Sequence, residues 1–511
     1  MIKNIVNKFI IEEYKLKYLI FSIISGILLA LSFQKFNFFF LAWIAFVPLI
    51  YCIYKNDLKF SALYSFITGI MYSIIAFNWM YLFLLKNTSS FSDSCTISMI
   101  VWICLSLYFV VWGIGINFIK KKNKITLILF APALWVSLEY IRNYYFGSFP
   151  INLLGYSQSS VTQVIQFADI FGVFGISFII MLINVLLFCW ICNREKKYLL
   201  IVIFVVCSMF VYGYIRINQI SQINNEKEIK IGIVQPNIEQ KYKFKKRYVK
   251  KILYDLKQAG ISLENKNLDI VLYPETVLPK NIKENQDVKN FVNNISPWSN
   301  YTLIGGFDVE NYKVYNSIFV VSNVGEVIDS YRKKHLILFG EYVPFEGLLA
   351  KMFSKFITDN NLTKEIELKA FTLDKCSLGI NICSENYYPY LSRELVLKGA
   401  NLLTTHSNDA WCDGLSYPYQ HFVLNIFRAI ENRKYLIVAS NTGISGVIAP
   451  TGKIVRQTKN QEQIVLEETV YTNNYITIYD KIGDLFVYLC MAYAVIILLF
   501  FFFRTKNKTL S

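Results

Sequence analysis

Leu378-Gly-Ile-Asn-Ile-Cys-Ser-Glu385 is a short apolar run that ends abruptly in a thiol, a hydroxyl and a carboxylate. A run of this length, rich in β-branched residues, predicts a buried strand. Inside such a strand a cysteine is ordinarily a small hydrophobe. At its end, where an α/β sheet hands over to its loops, the same residue stands where sites are built. The surrounding sequence decides between the two readings.

Outward from this stretch, residues 217–482 alternate strand and helix patterns, which predicts an α/β layered domain. Strands are expected at 228–235, 267–273, 301–306, 316–322, 377–382, 402–405, 435–440 and 446–449. Helices are expected at 241–257, 387–398 and 417–433. Pro274 stops the second strand, so Glu275 follows it directly at a sheet edge.

The two ends of the chain are different in kind. With 511 residues, 54% of them hydrophobic and 16% aromatic, the composition is too apolar for a soluble globular protein and too long for one domain. Apolar runs able to span a bilayer occur at 18–34, 38–54, 60–85, 95–119, 125–143, 174–193, 198–216 and 483–503. This predicts a membrane domain at 1–216 with about seven helices, then the α/β domain, then a membrane helix with a short basic tail at 483–511. The first apolar run is followed by several more, which is not the pattern of a cleavable leader.

The net charge of +16 comes from basic residues in short runs beside the apolar segments, not along one polar face. That placement argues against a nucleic-acid partner and for membrane orientation. Lys3, Lys8, Lys15 and Lys17, then Lys55 and Lys59, Lys120 to Lys124, Arg194 to Lys197, and Arg504 to Lys508 share one side if the spans alternate. By the positive-inside rule that side is the cytoplasm, which puts residues 217–482 outside.

Seven of the ten cysteines lie in apolar end segments, and Cys376, Cys383 and Cys412 lie in the outer domain. Neither the cysteines nor the three histidines, His335, His406 and His421, have metal-ligand spacing, so no metal or other cofactor is expected. The pairing of the outer cysteines stays open, although any disulfide through Cys383 would remove a nucleophile.

Three loop-edge positions carry complementary chemistry. Besides Glu275 and Cys383, Lys333 lies in Tyr331-Arg-Lys-Lys-His335, a charge run set between aromatic and aliphatic residues, so one of its cations is expected to turn inward. Lys334 competes for that place. A free thiol titrates near pH 8.5 and needs a base or a cation to become a nucleophile. Glu275 suits proton transfer and Lys333 suits an oxyanion.

The order Glu, then Lys in a Tyr-Arg-Lys-x-His-Leu context, then Cys after an apolar strand resembles the nitrilase, or carbon–nitrogen hydrolase, superfamily. With the flanking spans it resembles that superfamily's membrane-bound branch, the apolipoprotein N-acyltransferases. The likeness covers nearly the whole chain. It rests on Val234-Gln-Pro-Asn-Ile-Glu-Gln240, Tyr273-Pro-Glu-Thr276, Phe339-Gly-Glu-Tyr-Val-Pro344, Ser407-Asn-Asp-Ala-Trp411, Gln420-His421, Arg428-Ala-Ile-Glu431, Ser440-Asn-Thr-Gly-Ile444 and the membrane-domain loop Leu154-Gly-Tyr-Ser-Gln158.

The resemblance implies an α-β-β-α sandwich and a catalytic triad of Glu275, Lys333 and Cys383. It also implies supporting roles for Glu341 and Glu385, and substrate contacts at Trp411 and Ser384. Ser384 stands where relatives commonly carry an aromatic residue, and Cys412 where Phe is frequent. The implied reaction moves an acyl chain from a membrane phospholipid, through a Cys383 thioester, to the α-amine of a diacylglyceryl-modified apolipoprotein. The implied location is a bacterial inner membrane, with the catalytic domain on the periplasmic side. Two other readings use the same chain: a membrane-anchored amidase with water as acceptor, and an inactive scaffold. A stripe of Leu349, Met352, Phe353 and Phe356 at helical spacing reads as core or as an arm dipping toward lipid.

Overall fold

The computed structural model describes residues 2–88, 90–120, 124–145, 149–223, 226–243, 245–337, 341, 362–412 and 414–509. The segment 348–357, and most of the Phe-Gly-Glu motif around Glu341, lie outside the described residues. The chain divides into two compact units, Met1–Tyr214 with Asp484–Ser511, and Ile215–Gly483.

The first unit is helical: α1 (Ile2–Leu31), α2 (Val47–Lys55), α3 (Leu58–Ala76), α4 (Asn78–Thr88), α5 (Phe91–Ile119), α6 (Lys124–Tyr144), α7 (Ala168–Asn193) and α8 (Lys196–Ser221), the last running on past the unit's edge. Among the described residues six helices are long and apolar enough to cross a membrane, and Phe39–Lys55 forms a shorter apolar pair of turns. The run at 60–85 is two helices, because Phe77 leaves helical geometry at φ −120°, ψ 25° and caps α3. The run at 38–54 is a 3₁₀ turn followed by α2, whose first turn holds Pro48, a residue suited to a helix start.

The 149–158 loop is tied into this unit by buried polar groups. The Glu139 carboxylate accepts from Leu154 N at 2.6 Å, the Ser177 hydroxyl from Gly155 N at 2.8 Å, and Gln158 bridges Trp43 Nε1 and the Phe39 carbonyl at 2.7 and 3.0 Å. Arg142 donates to the carbonyls of Ile151 and Asn152. With no water in a bilayer core, such internal partners are the condition for non-helical backbone there.

Among the described residues the second unit holds twelve strands: β1 (Glu228–Gln235), β2 (Leu268–Leu272), β3 (Ser299–Glu310), β4 (Lys313–Ser322), β5 (Val327–Arg332), β6 (Phe371–Thr372), β7 (Ser377–Ile382), β8 (Leu402–Ser407), β9 (Leu436–Ser440), β10 (Gly446–Ile448), β11 (Ile454–Gln457) and β12 (Ile464–Tyr471). They form two six-stranded sheets, ordered β12-β1-β2-β3-β4-β5 and β11-β10-β9-β8-β7-β6. Each has a parallel centre, β1-β2-β3 or β7-β8-β9, and antiparallel edges. Strands β2 and β9 are buried throughout, as central strands covered on both faces must be.

The helices of this unit are α9 (Gln240–Lys243), α10 (Val249–Gly260), α11 (Gln286–Ile295), α12 (Pro389–Leu397), α13 (Tyr417–Asn432) and α14 (Ile478–Ile482); α15 (Leu485–Thr509) belongs to the first unit. In α11, Asn285 caps the first turn, and Val288, Phe291, Val292 and Ile295 make the buried stripe. That stripe packs with Ile252 and Leu256 of α10 on Val271, Ile304 and Phe319 of the first sheet. Cross-sheet hydrogen bonds join the two layers: the Gln235 side-chain Oε1 accepts from Ser445 Oγ and Thr458 Oγ1, both at 2.7 Å. The second unit is thus the expected α-β-β-α sandwich, and the first is the helical membrane domain.

The helix expected at 241–257 is continuous only from Val249. The chain before it takes two short turns, because Lys243 turns inward and is 1% exposed. Strand β3 passes so close to the turn after β2 that a Cβ on Gly305 would lie 2.3 Å from the Pro274 carbonyl oxygen. Gly305 also donates to that oxygen at 3.1 Å and accepts from Leu278 N at 3.0 Å.

Candidate active site

The residues with catalytic chemistry come from the ends of strands. Glu275 follows β2, Lys333 follows β5 and Cys383 follows β7. Glu275 is 5% exposed, and its Oε1 accepts from Asn316 Nδ2 of β4 at 2.7 Å. The same Asn316 amide donates to Glu341 Oε1 at 3.0 Å, so one side chain of β4 holds two carboxylates together. Lys333, fully buried, places its ammonium 2.9 Å from Glu341 Oε1 and 3.4 Å from Glu275 Oε1.

Two carboxylates around one ammonium decide its state. Burial would push Lys333 down, but Glu341 and then Glu275 outweigh it, and its pKa lies above the usual lysine value. Lys333 is therefore a permanent cation. Lys334 is only half-buried, and what it brings to this region is a main-chain N–H donated to Glu385 Oε1 at 2.7 Å.

Cys383 sits in a left-handed conformation at φ 50°, which costs a non-glycine residue about 1 kcal/mol or more and is held only where the surroundings enforce it. Burial, and next the charge of Glu275, push its thiol well above the usual cysteine range, while Lys333 pulls it down. The resting group is a thiol, so nucleophilic attack requires a base to take its proton. Cys376, Cys383 and Cys412 are all buried, and no disulfide joins them.

The conformation at Cys383 is enforced by its neighbours. Glu385, wholly buried, accepts from Ile382 N at 2.7 Å, His335 N at 3.2 Å and the Tyr331 hydroxyl at 3.0 Å, besides Lys334 N. Burial pushes its carboxyl up to about 7 against the pull of these donors. On the other side His421 Nε2 lies 3.3 Å from the Cys383 carbonyl oxygen and 3.2 Å from Asn386 Oδ1, while its Nδ1 meets Asp409 Oδ1 at 3.0 Å. This His–Asp pair addresses the backbone of Cys383.

Ser384 is 4% exposed, and its hydroxyl has no hydrogen-bond partner among the described residues. Trp411 lies in a short turn, Asp409–Cys412, with its ring 4.5 Å from that of Tyr417. His335 and His406 are held near pKa 4 by burial, and His406 Nδ1 meets the Tyr273 carbonyl oxygen at 2.8 Å across the two sheets. Among the described residues no group of three or more His, Cys, Asp or Glu could hold a metal ion.

A consequence can be measured. Glu385→Gln keeps the shape but turns one acceptor oxygen into a donor facing N–H groups, leaving at least one buried donor unsatisfied. The expected loss is about 2–4 kcal/mol of stability, read as a lower Tm, whereas an unchanged Tm would refute the anchoring role.

Sequence reasoning missed Asn316, Lys243 and the His421–Asp409 pair. Asn316 carried one signal, an amide interrupting the otherwise apolar strand Asn316-Ser-Ile-Phe-Val-Val-Ser322. Lys243 carried none, being one of many lysines in a basic stretch.

Residues 230–473 match the carbon–nitrogen hydrolase family, which is the class of this double-sheet domain. Residues 25–186 match the N-terminal domain of apolipoprotein N-acyltransferase. The chain is 30% identical over 494 residues to the apolipoprotein N-acyltransferase of Geobacter metallireducens, covering 93% of this chain and 94% of that one. Similar proteins of the same name occur in Haemophilus ducreyi, 26% identical over 96% of this chain and 97% of that one, and in Aquifex aeolicus, 28% identical over 85% and 94%. This chain belongs to the apolipoprotein N-acyltransferase family.

Proposed function

We propose that the protein transfers an acyl chain from a membrane phospholipid to the N-terminal amine of a diacylglyceryl-modified apolipoprotein in two steps. Glu275 takes the Cys383 proton as the thiolate attacks the ester carbonyl, and Lys333 faces the oxyanion that develops. The S–C bond forms, the C–O bond breaks, and Glu275 returns the proton to the leaving lysophospholipid. In the second step the neutral α-amine attacks the thioester, an N–C bond replaces the S–C bond, and Glu275 carries the displaced proton to the thiolate.

The observation that carries this reading is the buried Glu275–Lys333–Glu341 cluster, in which one ammonium faces two carboxylates and whose charges act on the Cys383 thiol. Glu341 and Glu385 hold the cluster and the nucleophile in place, and Ser384 and Trp411 contact substrate. The three-part division at 1–216, 217–482 and 483–511 goes with it, in a bacterial inner membrane with the catalytic part on the periplasmic side. The positive-inside arrangement of the lysines supports that orientation.

Intact-mass measurement after incubation with phospholipid tests it. The wild type is expected to gain one acyl mass that hydroxylamine removes, and Cys383→Ala to gain none. No adduct on the wild type, or an adduct on Cys383→Ala, would overturn the proposal.

A further inference from the structure

A second lysine lies in this site. Lys243 ends the short helix α9 and is 1% exposed, although its neighbours Lys241, Lys245, Lys246 and Arg247 all face solvent. Its ammonium donates to the Thr276 hydroxyl at 2.8 Å and reaches the Glu275 main-chain carbonyl at 3.4 Å. Thr276 is itself left-handed, at φ 44°, so the turn that aims Glu275 is a strained one gripped at two atoms by this side chain. Lys333 meets the carboxylate of Glu275 and Lys243 meets its backbone, so the base lies between two ammonium groups.

The two lysines differ in what surrounds them. Lys333 touches two carboxylate oxygens, and Lys243 donates to the Thr276 hydroxyl and the Glu275 main-chain carbonyl. Among the described residues the charged and titratable groups that act on Lys243 are Glu275 after β2 and Cys383 after β7, and Glu239 of its own segment is engaged by Lys241 at 2.5 Å. We propose, resting on the function above, that Lys243 is a positioning residue of this enzyme: it clamps the Glu275–Thr276 turn, and its positive charge supports the thiolate as the thioester forms.

Burial lowers Lys243 to about 7, against the opposing pull of Glu275 and then Cys383. The sign of the pH effect follows. Below about 7 the side chain is a cation and favours the anionic nucleophile; as pH rises through that value the support is lost. A Lys243→Met variant keeps the stem and lacks the charge at every pH.

The test uses the full-length protein and diacyl phosphatidylethanolamine in mixed micelles, with the rate of acyl-adduct formation followed from pH 5.5 to 9. The wild type is expected to exceed Lys243→Met by roughly ten-fold at pH 6. That ratio should shrink toward the residual clamping effect by pH 9, where the wild-type side chain is also neutral. A ratio that stays constant with pH, or that stays near one throughout, overturns the proposal.

If Lys243→Met does not fold, Thr276→Val serves instead. It removes the hydroxyl acceptor of the ammonium, so the falling limb near pH 7 should move to lower pH, and an unmoved limb overturns the proposal. Absence of any adduct on the wild type would sink the acyl-transfer reading itself, which keeps the two failures apart.

Discussion

A Glu275→Gln variant is expected to form the acyl-enzyme about a thousand-fold more slowly than the wild type at pH 7. The amide keeps the size of the side chain and an oxygen toward Asn316, and Lys333 keeps its closer partner Glu341, so the fold survives. What is lost is the proton acceptor for a thiol that burial holds in its protonated form. The same substitution removes the carboxylate that helps push the thiol up, so the remaining activity should rise more steeply with pH than in the wild type. Single-turnover adduct formation, measured by mass at pH 7 and pH 9, checks both parts. A pH 7 rate within ten-fold of the wild type would show that another group takes the proton.

Lys333→Met should be more damaging because it acts on the fold as well as the chemistry. With the ammonium gone, the Glu275 and Glu341 carboxylates share only the Asn316 amide. Removing one partner of a buried ion pair costs about 3–5 kcal/mol. Loss of an oxyanion-stabilising group adds about 10²–10³-fold in rate. Thermal unfolding checks the stability part: the Tm should fall well below that of the wild type, and an unchanged Tm would contradict the ion-pair argument. Lys333→Arg should not rescue, since a planar guanidinium does not fit a site with no exposed surface built around a single nitrogen.

Strand ends were legible in the sequence wherever a residue type interrupted an apolar run. Pro274 beside Glu275, and Cys383 after Ile382, announced themselves in this way, and both stand at the edge that the strands predicted. Strands β5, β11 and β12 were not legible, because their partly exposed faces carry Asp329, Arg456 and Glu467 and read as solvated loop. In the membrane unit, hydropathy marked apolar length but not the break at Phe77, since a non-helical residue in an aromatic context leaves no trace in composition. The site divided in the same way. The apolar setting marked the Arg332–Lys334 run as one with an inward cation and the family resemblance pointed to Lys333 within it, while Lys243, in an unremarkable basic stretch, became distinct only through the burial that folding imposes on it.

The close passage of Gly305 beside the Pro274–Thr276 turn sets Glu275, the proposed base, by main-chain contact. Backbone spacing in a hydrogen-bonded sheet hardly varies, so strand β3 works as a ruler: the position of Glu275 is copied from the ladder rather than from the fit of side chains around it. The apolar residues beneath the first sheet are thereby free to drift, as a repacked core that still pairs β2 with β3 returns the base to the same place. The opposite holds at residue 305, where the first carbon of any side chain would have to occupy the space of the turn itself.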